Sequence, residues 1–150
     1  MTAGLDTSYP DASASPGLAL WRVTNAWQRR IRAALAPHDL THVQFVLLAS
    51  LTWMDRSQPV TQRDLAEFAG TDVMMTSQVI RALEAKGHIT RNPHPTDGRA
   101  VTLAPTPTGI ALANRANKDV EAADQAYFDA LAPSERTSFM RHLRALDRHH

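Results

Sequence analysis

Apolar residues recur at helical spacing along most of this chain. From Leu18 to Pro37 they return every three or four residues, which predicts an amphipathic helix over about residues 18–35. Residues 41–54 are apolar almost all round, as expected for a helix that is buried on most sides. Two later stretches, residues 108–130 and a run that opens at Pro133, carry similar apolar stripes. Residues 1–16 are rich in Ala, Ser, Asp and Pro and lack periodicity, so we expect a flexible arm there.

The middle of the chain predicts two short helices joined by a tight turn. Thr61 with Asp64 three residues later is typical of a capped helix start. We expect the apolar residues of this helix to face inward, namely Leu65, Ala66 and Phe68. Gly70 ends the helix, and Thr71 or Asp72 is expected to cap the next one, which runs to Lys86.

Two short strands are predicted after Gly87, with Ile89 on the first and Val101 and Leu103 on the second as the inward positions. Proline cannot donate a hydrogen bond to a sheet ladder, so we expect the second strand to end by Ala104. Helix, turn, helix and hairpin together predict a winged helix-turn-helix over about residues 41–104. In that fold the second helix fits the major groove of DNA and the hairpin reaches the minor groove. The predicted fold class is mainly α with a small β wing.

The run Asp97-Gly98-Arg99-Ala100-Val101-Thr102-Leu103-Ala104-Pro105-Thr106-Pro107-Thr108-Gly109 resembles the wing signature of the MarR (multiple antibiotic resistance regulator) family. In that family an Asp-x-Arg tip is followed by a strand and by a Leu-Thr-x-x-Gly helix start. Asp97, Arg99, Thr106 and Gly109 fall in register with it, whereas Pro105 stands where leucine is usual. The resemblance covers roughly residues 18–147.

Several expectations follow from this resemblance. It implies one MarR-like domain over residues 17–150, in which helices at about 18–35 and 108–147 interleave with those of a second copy. These stripes also have no evident core to cover them within one subunit. The implied function is transcriptional regulation, by a homodimeric repressor bound to an inverted repeat in double-stranded DNA.

The second helix of the pair is expected to read the DNA. Thr76, Val79, Ile80 and Leu83 share one face of it, so the opposite face is left for solvent or DNA. Gln78 has the paired donor and acceptor that match adenine, and Arg81 suits guanine or a phosphate. Met74 and Met75 suit thymine methyl groups, the alternative being that they pack under the wing or against the preceding helix. Lys86 is expected to add at most a charge that is indifferent to sequence.

The wing supplies the remaining candidates for DNA contact. The resemblance assigns Arg99 to the minor groove, where the negative potential is concentrated. Asp97 is expected either to orient Arg91 or Arg99, or to form the tip turn with Gly98. The full set of expected DNA-binding residues is Thr71, Met74, Met75, Ser77, Gln78, Arg81, Arg91, Asp97 and Arg99.

The resemblance also implies an effector, because members of the family often bind small aromatic acids between the dimerisation helices and the winged helix. The residues available for such a cleft are Trp21, Trp27, His42, Phe45 and Trp53. An aromatic wall would stack on a flat ligand, and a histidine or arginine would fix its carboxylate. The alternative is that these residues only pack the core.

Composition and charge add expectations about the class of protein. The formal net charge of +1 over 150 residues does not by itself favour DNA binding, and we interpret Arg29, Arg30 and Arg32 as a solvated helix face in preference to phosphate contacts. The chain has no cysteine, which excludes disulfides and thiol chemistry. No targeting or membrane-spanning segment is evident, which predicts a cytoplasmic protein.

Other chemistries find little support in the sequence. His38 and His42 are four residues apart, but His38 lies in the predicted loop after Pro37 whereas His42 lies at a helix start. The two do not share a helix face, so we expect no metal site and no cofactor. His149-His150 is interpreted as a terminal tag remnant. No catalytic motif is present, so an enzyme is only a third choice. The alternative from another functional class is a winged-helix protein–protein interaction module. The apolar pair Met74-Met75 favours this alternative, whereas Arg81, Arg91 and Arg99, which are in register with the family pattern, argue against it.

Overall fold

The computed structural model describes residues 4–148, which form six α-helices and a two-stranded antiparallel sheet. The elements are α1 (Pro16–Leu35), α2 (His42–Trp53), α3 (Gln62–Ala69), α4 (Val73–Ala85), β1 (Ile89–Pro93), β2 (Val101–Pro105), α5 (Pro107–Phe128) and α6 (Pro133–Leu146). Within residues 4–148, no helix is both long and apolar enough to cross a bilayer. His149-His150 lies outside the described residues.

The predicted N-terminal arm holds more local structure than its composition indicates. Asp11 accepts a hydrogen bond from the Ser13 N–H and caps a 3-10 turn over Ala12–Ala14. The hydroxyl of Ser15 then accepts from the Leu18 N–H, and Pro16 occupies the first turn of α1, where its missing N–H costs nothing. The first helix therefore begins at Pro16, two residues before the predicted start. Residues 1–3 of the arm lie outside the described residues.

The core lies around α2, as its all-round apolar pattern predicts. Leu47, Leu48 and Leu51 are fully buried in it. Ile31 and Leu35 from the end of α1, and Ala116 and Val120 from α5, belong to the same buried cluster. The expectation that the stripes of these helices have no core within one subunit is therefore wrong for the end of α1 and for α5 as far as Val120. Both helices pack against α2.

The helix-turn-helix forms with one departure from the prediction. The Thr61 hydroxyl accepts from the Asp64 N–H, and the Asp64 carboxylate accepts from the Thr61 N–H, which confirms the capping box. Leu65 and Ala66 are buried, but Phe68 is 54% exposed and does not face inward. Helix α3 ends one residue after Phe68, and Gly70 reverses the chain with a φ of 69°, so no neighbouring turn covers this ring.

The wing is one residue longer than predicted, because β2 includes Pro105. Pro105 lies opposite Ile89, next to a position where the Thr106 N–H donates to the His88 carbonyl at 3.0 Å. Antiparallel pairs alternate between hydrogen-bonded and non-hydrogen-bonded positions, so Pro105 falls at a position where no N–H is needed. On the other edge of β2, the Leu103 N–H donates to the Val60 carbonyl at 2.8 Å, which ties the wing to the chain just before α3.

Candidate nucleic-acid interface and effector cleft

The start of α4 is fixed by polar groups of the turn before it. Asp72 is the N-cap residue, and its carboxylate accepts from the Met75 N–H at 3.0 Å. The Thr71 and Thr76 hydroxyl oxygens are 2.7 Å apart, and Thr76 is fully buried while also donating to the Asp72 carbonyl. The Thr71 hydroxyl is engaged in this turn and helps to position α4, and the contact of Thr71 with DNA stays a prediction.

Helix α4 has the two faces that the sequence predicts. Thr76, Ile80 and Leu83 are fully buried against the core, and Val79 is half-buried. Gln78 and Arg81 are exposed on the opposite face, and Ser77 is half-buried. Met74 is 74% exposed and Met75 is also exposed, so they do not pack under the wing. The outward face offers both hydrogen-bonding groups and apolar surface.

The tip of the wing is organised by His94 and Asp97. The Nδ1 atom of His94 accepts from the Thr96 N–H at 3.1 Å and from the Asp97 N–H at 3.0 Å. The Asp97 carboxylate accepts from the Arg99 N–H at 3.0 Å. Of the two roles considered for Asp97, the structure has the tip turn. His94 was not among the predicted site residues, and only its place two and three residues before these N–H groups could have indicated its role.

The two arginines of the wing differ in their surroundings. Arg99 is exposed at the tip, and within residues 4–148 its guanidinium makes no hydrogen bond or ion pair. The Arg91 guanidinium lies 3.6 Å from the Glu84 carboxylate, and its side chain is 25% exposed. Arg91 therefore fastens the base of the wing to α4, and its partner is Glu84, not Asp97. Arg99 is the wing charge that is free to meet a phosphate backbone.

A cleft of about 580 Å³ lies where α1, α2 and α5 meet. Four of the five predicted effector residues line it, namely Trp27, His42, Phe45 and Trp53. Trp21 does not. It lies six residues before Trp27, about 120° around the helix axis, and is 69% exposed beside Arg22 and Arg29. The predicted cleft is thus present without Trp21.

The polar groups of the cleft differ from those expected for an acid-binding site. The Trp27 indole N–H donates to the Asp124 carboxylate at 2.7 Å, and the His42 ring lies edge-on to the indole with 5.2 Å between ring centroids. Burial lowers the pKa of His42 below its usual value, the positive charge of Arg32 lowers it further, and Asp124 partly opposes both effects. The imidazole is therefore neutral near pH 7.

Two acidic residues of the lining were missed by sequence reasoning. Glu121 and Asp124 stand three residues apart on α5 and face the cleft, whereas no lysine or arginine of the described residues lines it. Their spacing on one helix face, following the buried Val120, was the available indication.

His38 and His42 do not form a common site. His38 Nε2 lies 2.6 Å from the Asp119 carboxylate, whereas His42 contacts Trp27. In the described part of the chain, no three histidine, aspartate or glutamate side chains are placed so that they could hold a metal ion.

Comparison with known proteins agrees with this geometry. Residues 40–101 match the model of the MarR family. The chain is 43% identical over 144 residues to the HTH-type transcriptional regulator YdcH of Bacillus subtilis, covering 95% of this chain and 97% of that protein. It is 32% identical over 130 residues to the HTH-type transcriptional repressor Rv2887 of Mycobacterium tuberculosis, covering 87% and 91%.

Solved structures show the same architecture. The Bordetella bronchiseptica protein BpsR, whose DNA binding is regulated by 6-hydroxynicotinic acid, superposes with a TM-score of 0.84 at 25% identity and covers 93% of this chain and 98% of that one. Rv2887 in complex with salicylic acid superposes with a TM-score of 0.67 at 32% identity, covering 89% and 96%. These matches extend over nearly the whole chain, including the helices outside the winged helix-turn-helix.

Proposed function

The chain belongs to the MarR family of transcriptional regulators, and on that premise we propose that it binds an inverted repeat in double-stranded DNA as a homodimer and represses adjoining genes. The observation that carries this proposal is the outward face of α4. Gln78 and Arg81 are exposed there, on a helix whose opposite face is buried. An amide and a guanidinium on one accessible face can hydrogen-bond base edges in the major groove. Such a regulator would act in the cytoplasm.

Dimerisation is supported by two apolar surfaces that nothing in residues 4–148 covers. One lies on the first half of α1, where Leu18, Leu20, Trp21 and Val23 are exposed. The other lies on α6, which has no buried residue and exposes Met140, Leu143 and Leu146. Several large exposed apolar residues close together on a helix are typical of an interaction surface. A two-fold axis through them would set two α4 helices about one DNA turn apart.

An effector is the second part of the proposal. The cleft between α1, α2 and α5 has the volume of a small-molecule site, and an aromatic wall from Trp27, Phe45 and Trp53. BpsR and Rv2887 are relatives whose structures are described with small aromatic acids. We propose that a planar aromatic molecule binds this cleft and releases DNA. It can do so only as far as it binds one spacing of the two α4 helices more tightly than another.

One observation favours a different function. Val73, Met74 and Met75 form an exposed apolar patch at the start of α4, which also suits a protein partner. A winged-helix interaction module without specific DNA binding is therefore the second candidate.

Selection of bound sites from random duplex DNA separates the two candidates. A repressor of this kind enriches a pseudo-palindrome whose half-sites lie one helical turn apart, and sedimentation of the complex gives two chains per duplex. Failure to enrich any sequence, with the protein still folded and dimeric, would reject specific DNA binding and favour the interaction module.

A further inference from the structure

We propose that the cleft between α1, α2 and α5 selects planar aromatic cations over aromatic carboxylates. This inference rests on the proposed effector role of the cleft and specifies the charge of its ligand. It comes from the side chains that line the cleft, which carry two carboxylates and no basic group in the described part of the chain.

Each carboxylate keeps one oxygen available for a ligand. Asp124 Oδ1 accepts from the Trp27 indole at 2.7 Å, and Glu121 Oε1 accepts from the Asn117 amide at 3.0 Å. No hydrogen bond from the described residues reaches the second oxygen of either group. These bonds engage one oxygen of each carboxylate, the half-buried Asp124 and the exposed Glu121, and leave the other oxygen able to accept from an incoming N–H donor. A donor that is itself charged would form the stronger, charge-assisted bond.

The groups that could balance these charges do not supply a positive charge in the cleft. His42 is the only histidine of the lining among the described residues, and burial together with the charge of Arg32 lowers its pKa, so it remains neutral near pH 7. Arg32 itself is exposed and does not line the cleft. A ligand carboxylate would thus lie beside two like charges, with no lysine or arginine of residues 4–148 in the lining to pair with it, which is an unfavourable position.

The aromatic wall adds to the same preference. Trp53 is 84% exposed at the cleft, so a face of its indole is accessible. Indole faces attract cations, because the ring quadrupole is negative above and below the plane. A flat aromatic cation can therefore stack on the wall and place its charged N–H toward Asp124 or Glu121. An aromatic acid can also stack on the wall, but its carboxylate is not attracted to Asp124 or Glu121.

Three probes built on the same phenol ring test the effect of the ligand's charge. 2-Hydroxybenzylamine, 2-hydroxybenzamide and salicylate share a ring and an ortho hydroxyl, and near neutral pH they are cationic, neutral and anionic. Binding to the full chain is followed by tryptophan fluorescence in a Trp21→Phe background, so that only the indoles lining the cleft report. We expect affinity to fall from amine to amide to acid, with the amine binding roughly tenfold or more tightly than salicylate.

The carboxylates are tested by the double variant Asp124→Asn and Glu121→Gln. This change should remove most of the preference for the amine, mainly by weakening the amine and strengthening salicylate. The matched control is Glu67→Gln, which removes one carboxylate from the exposed face of α3 and should leave the order of affinities unchanged.

Three results would overturn the inference, and the first two differ in what they say about the effector role. If salicylate binds more tightly than the amine and releases DNA, the effector role stands and the charge preference is wrong. If none of the three probes binds, while circular dichroism shows a folded chain that still binds its DNA site, both the charge preference and the effector role fail. An amine preference that survives the double variant also contradicts it, because the carboxylates would then not be its cause.

Discussion

The Lys86 ammonium lies 2.8 Å from the main-chain carbonyl oxygen of Asp39, which joins the end of α4 to the connection between α1 and α2. The same nitrogen lies 3.3 Å from Oε1 of Gln44, and Asp39 takes a left-handed φ of 53° that directs its carbonyl to the lysine. Lys86 therefore helps to hold α4 against the connection between α1 and α2. The Lys86 ammonium is thus engaged by Asp39 and Gln44 of the same chain.

Replacing this ammonium should weaken the whole fold. Lys86→Met keeps an unbranched stem and removes the donor, so we expect the free energy of unfolding to fall by about 0.5–1 kcal/mol. The value is modest because the side chain is 34% exposed and solvent screens it. Urea denaturation measures the change. Lys118→Met, at an exposed position of α5, is the control, and equal midpoints for the two variants would contradict the role given to Lys86.

A second prediction concerns Gly109, where the wing meets α5. A Cβ atom at this position would lie 2.1 Å from the His88 carbonyl oxygen, which is backbone and cannot turn aside. The Thr106 hydroxyl, 2.7 Å from the Gly87 carbonyl, holds the same junction together. Gly109→Ala should therefore lower the free energy of unfolding by about 1–3 kcal/mol.

Gly98→Ala serves as the control for that variant. Gly98 lies in the wing tip with no atom within 4 Å of a built Cβ. Urea midpoints measured side by side should show a loss for Gly109→Ala alone. Similar stability in the two variants would show that α5 and the His88 turn do not pack as closely as described.

The half-buried His42 gives the fold a pH dependence. Burial lowers the pKa of His42, so the folded chain binds fewer protons there than the unfolded chain between the lowered pKa and the ordinary value of 6.5. Stability therefore rises with pH in this window. The contribution is fully present above pH 6.5 and is lost as the pH falls through the window.

Denaturant midpoints measured across this range test the effect. His42→Gln should flatten the fall in stability on acidification, whereas His142→Gln, at an exposed position of α6, should leave the slope as it is in the parent chain. Identical slopes for the parent and His42→Gln would mean that His42 is not the group that titrates.

Sequence reasoning succeeded where a single element carries the information. The two faces of α4 follow from one helical period, the Thr61 and Asp64 cap from adjacent chemistry, and the tip turn from Asp97-Gly98. Each depends on contacts within a few residues. For that reason the winged helix-turn-helix could be predicted from the order of its elements.

The departures depend on how elements meet in space. The inward orientation expected for Phe68 fails because α3 stops beside it, and Trp21 leaves the cleft because six residues rotate it away from Trp27. Asp124 and Glu121 face the cleft only through the packing of α5 on α1 and α2. Likewise, nothing local could show that Lys86 reaches Asp39, which is 47 positions earlier.

The exposed wing arginine should add to DNA affinity through its charge. Arg99→Ala should weaken binding to the preferred site, with the dimer intact, and reduce the slope of log affinity against log salt by up to about one unit. Arg29→Ala, on the solvated face of α1, should leave that slope unchanged. Anisotropy titrations across salt concentrations measure both variants. If Arg99→Ala retained the parent slope and affinity, Arg99 would have no place at the DNA.

Base reading by the outward face of α4 is tested by the ratio of two affinities. Fluorescence anisotropy gives the affinity of the chain for the selected inverted repeat and for a scrambled duplex of equal length and composition, at one salt concentration. The parent chain should favour the repeat by roughly a thousandfold or more.

Gln78→Ala should lower the free-energy preference for the repeat over the scrambled duplex by about 1–3 kcal/mol, because affinity for the repeat falls while affinity for the scrambled duplex stays the same. It should also relax the choice of base at one position of each half-site. This outcome would place Gln78 at a base edge. Equal affinity of the parent chain for the two duplexes, or equal weakening of both by Gln78→Ala, would contradict base reading by α4.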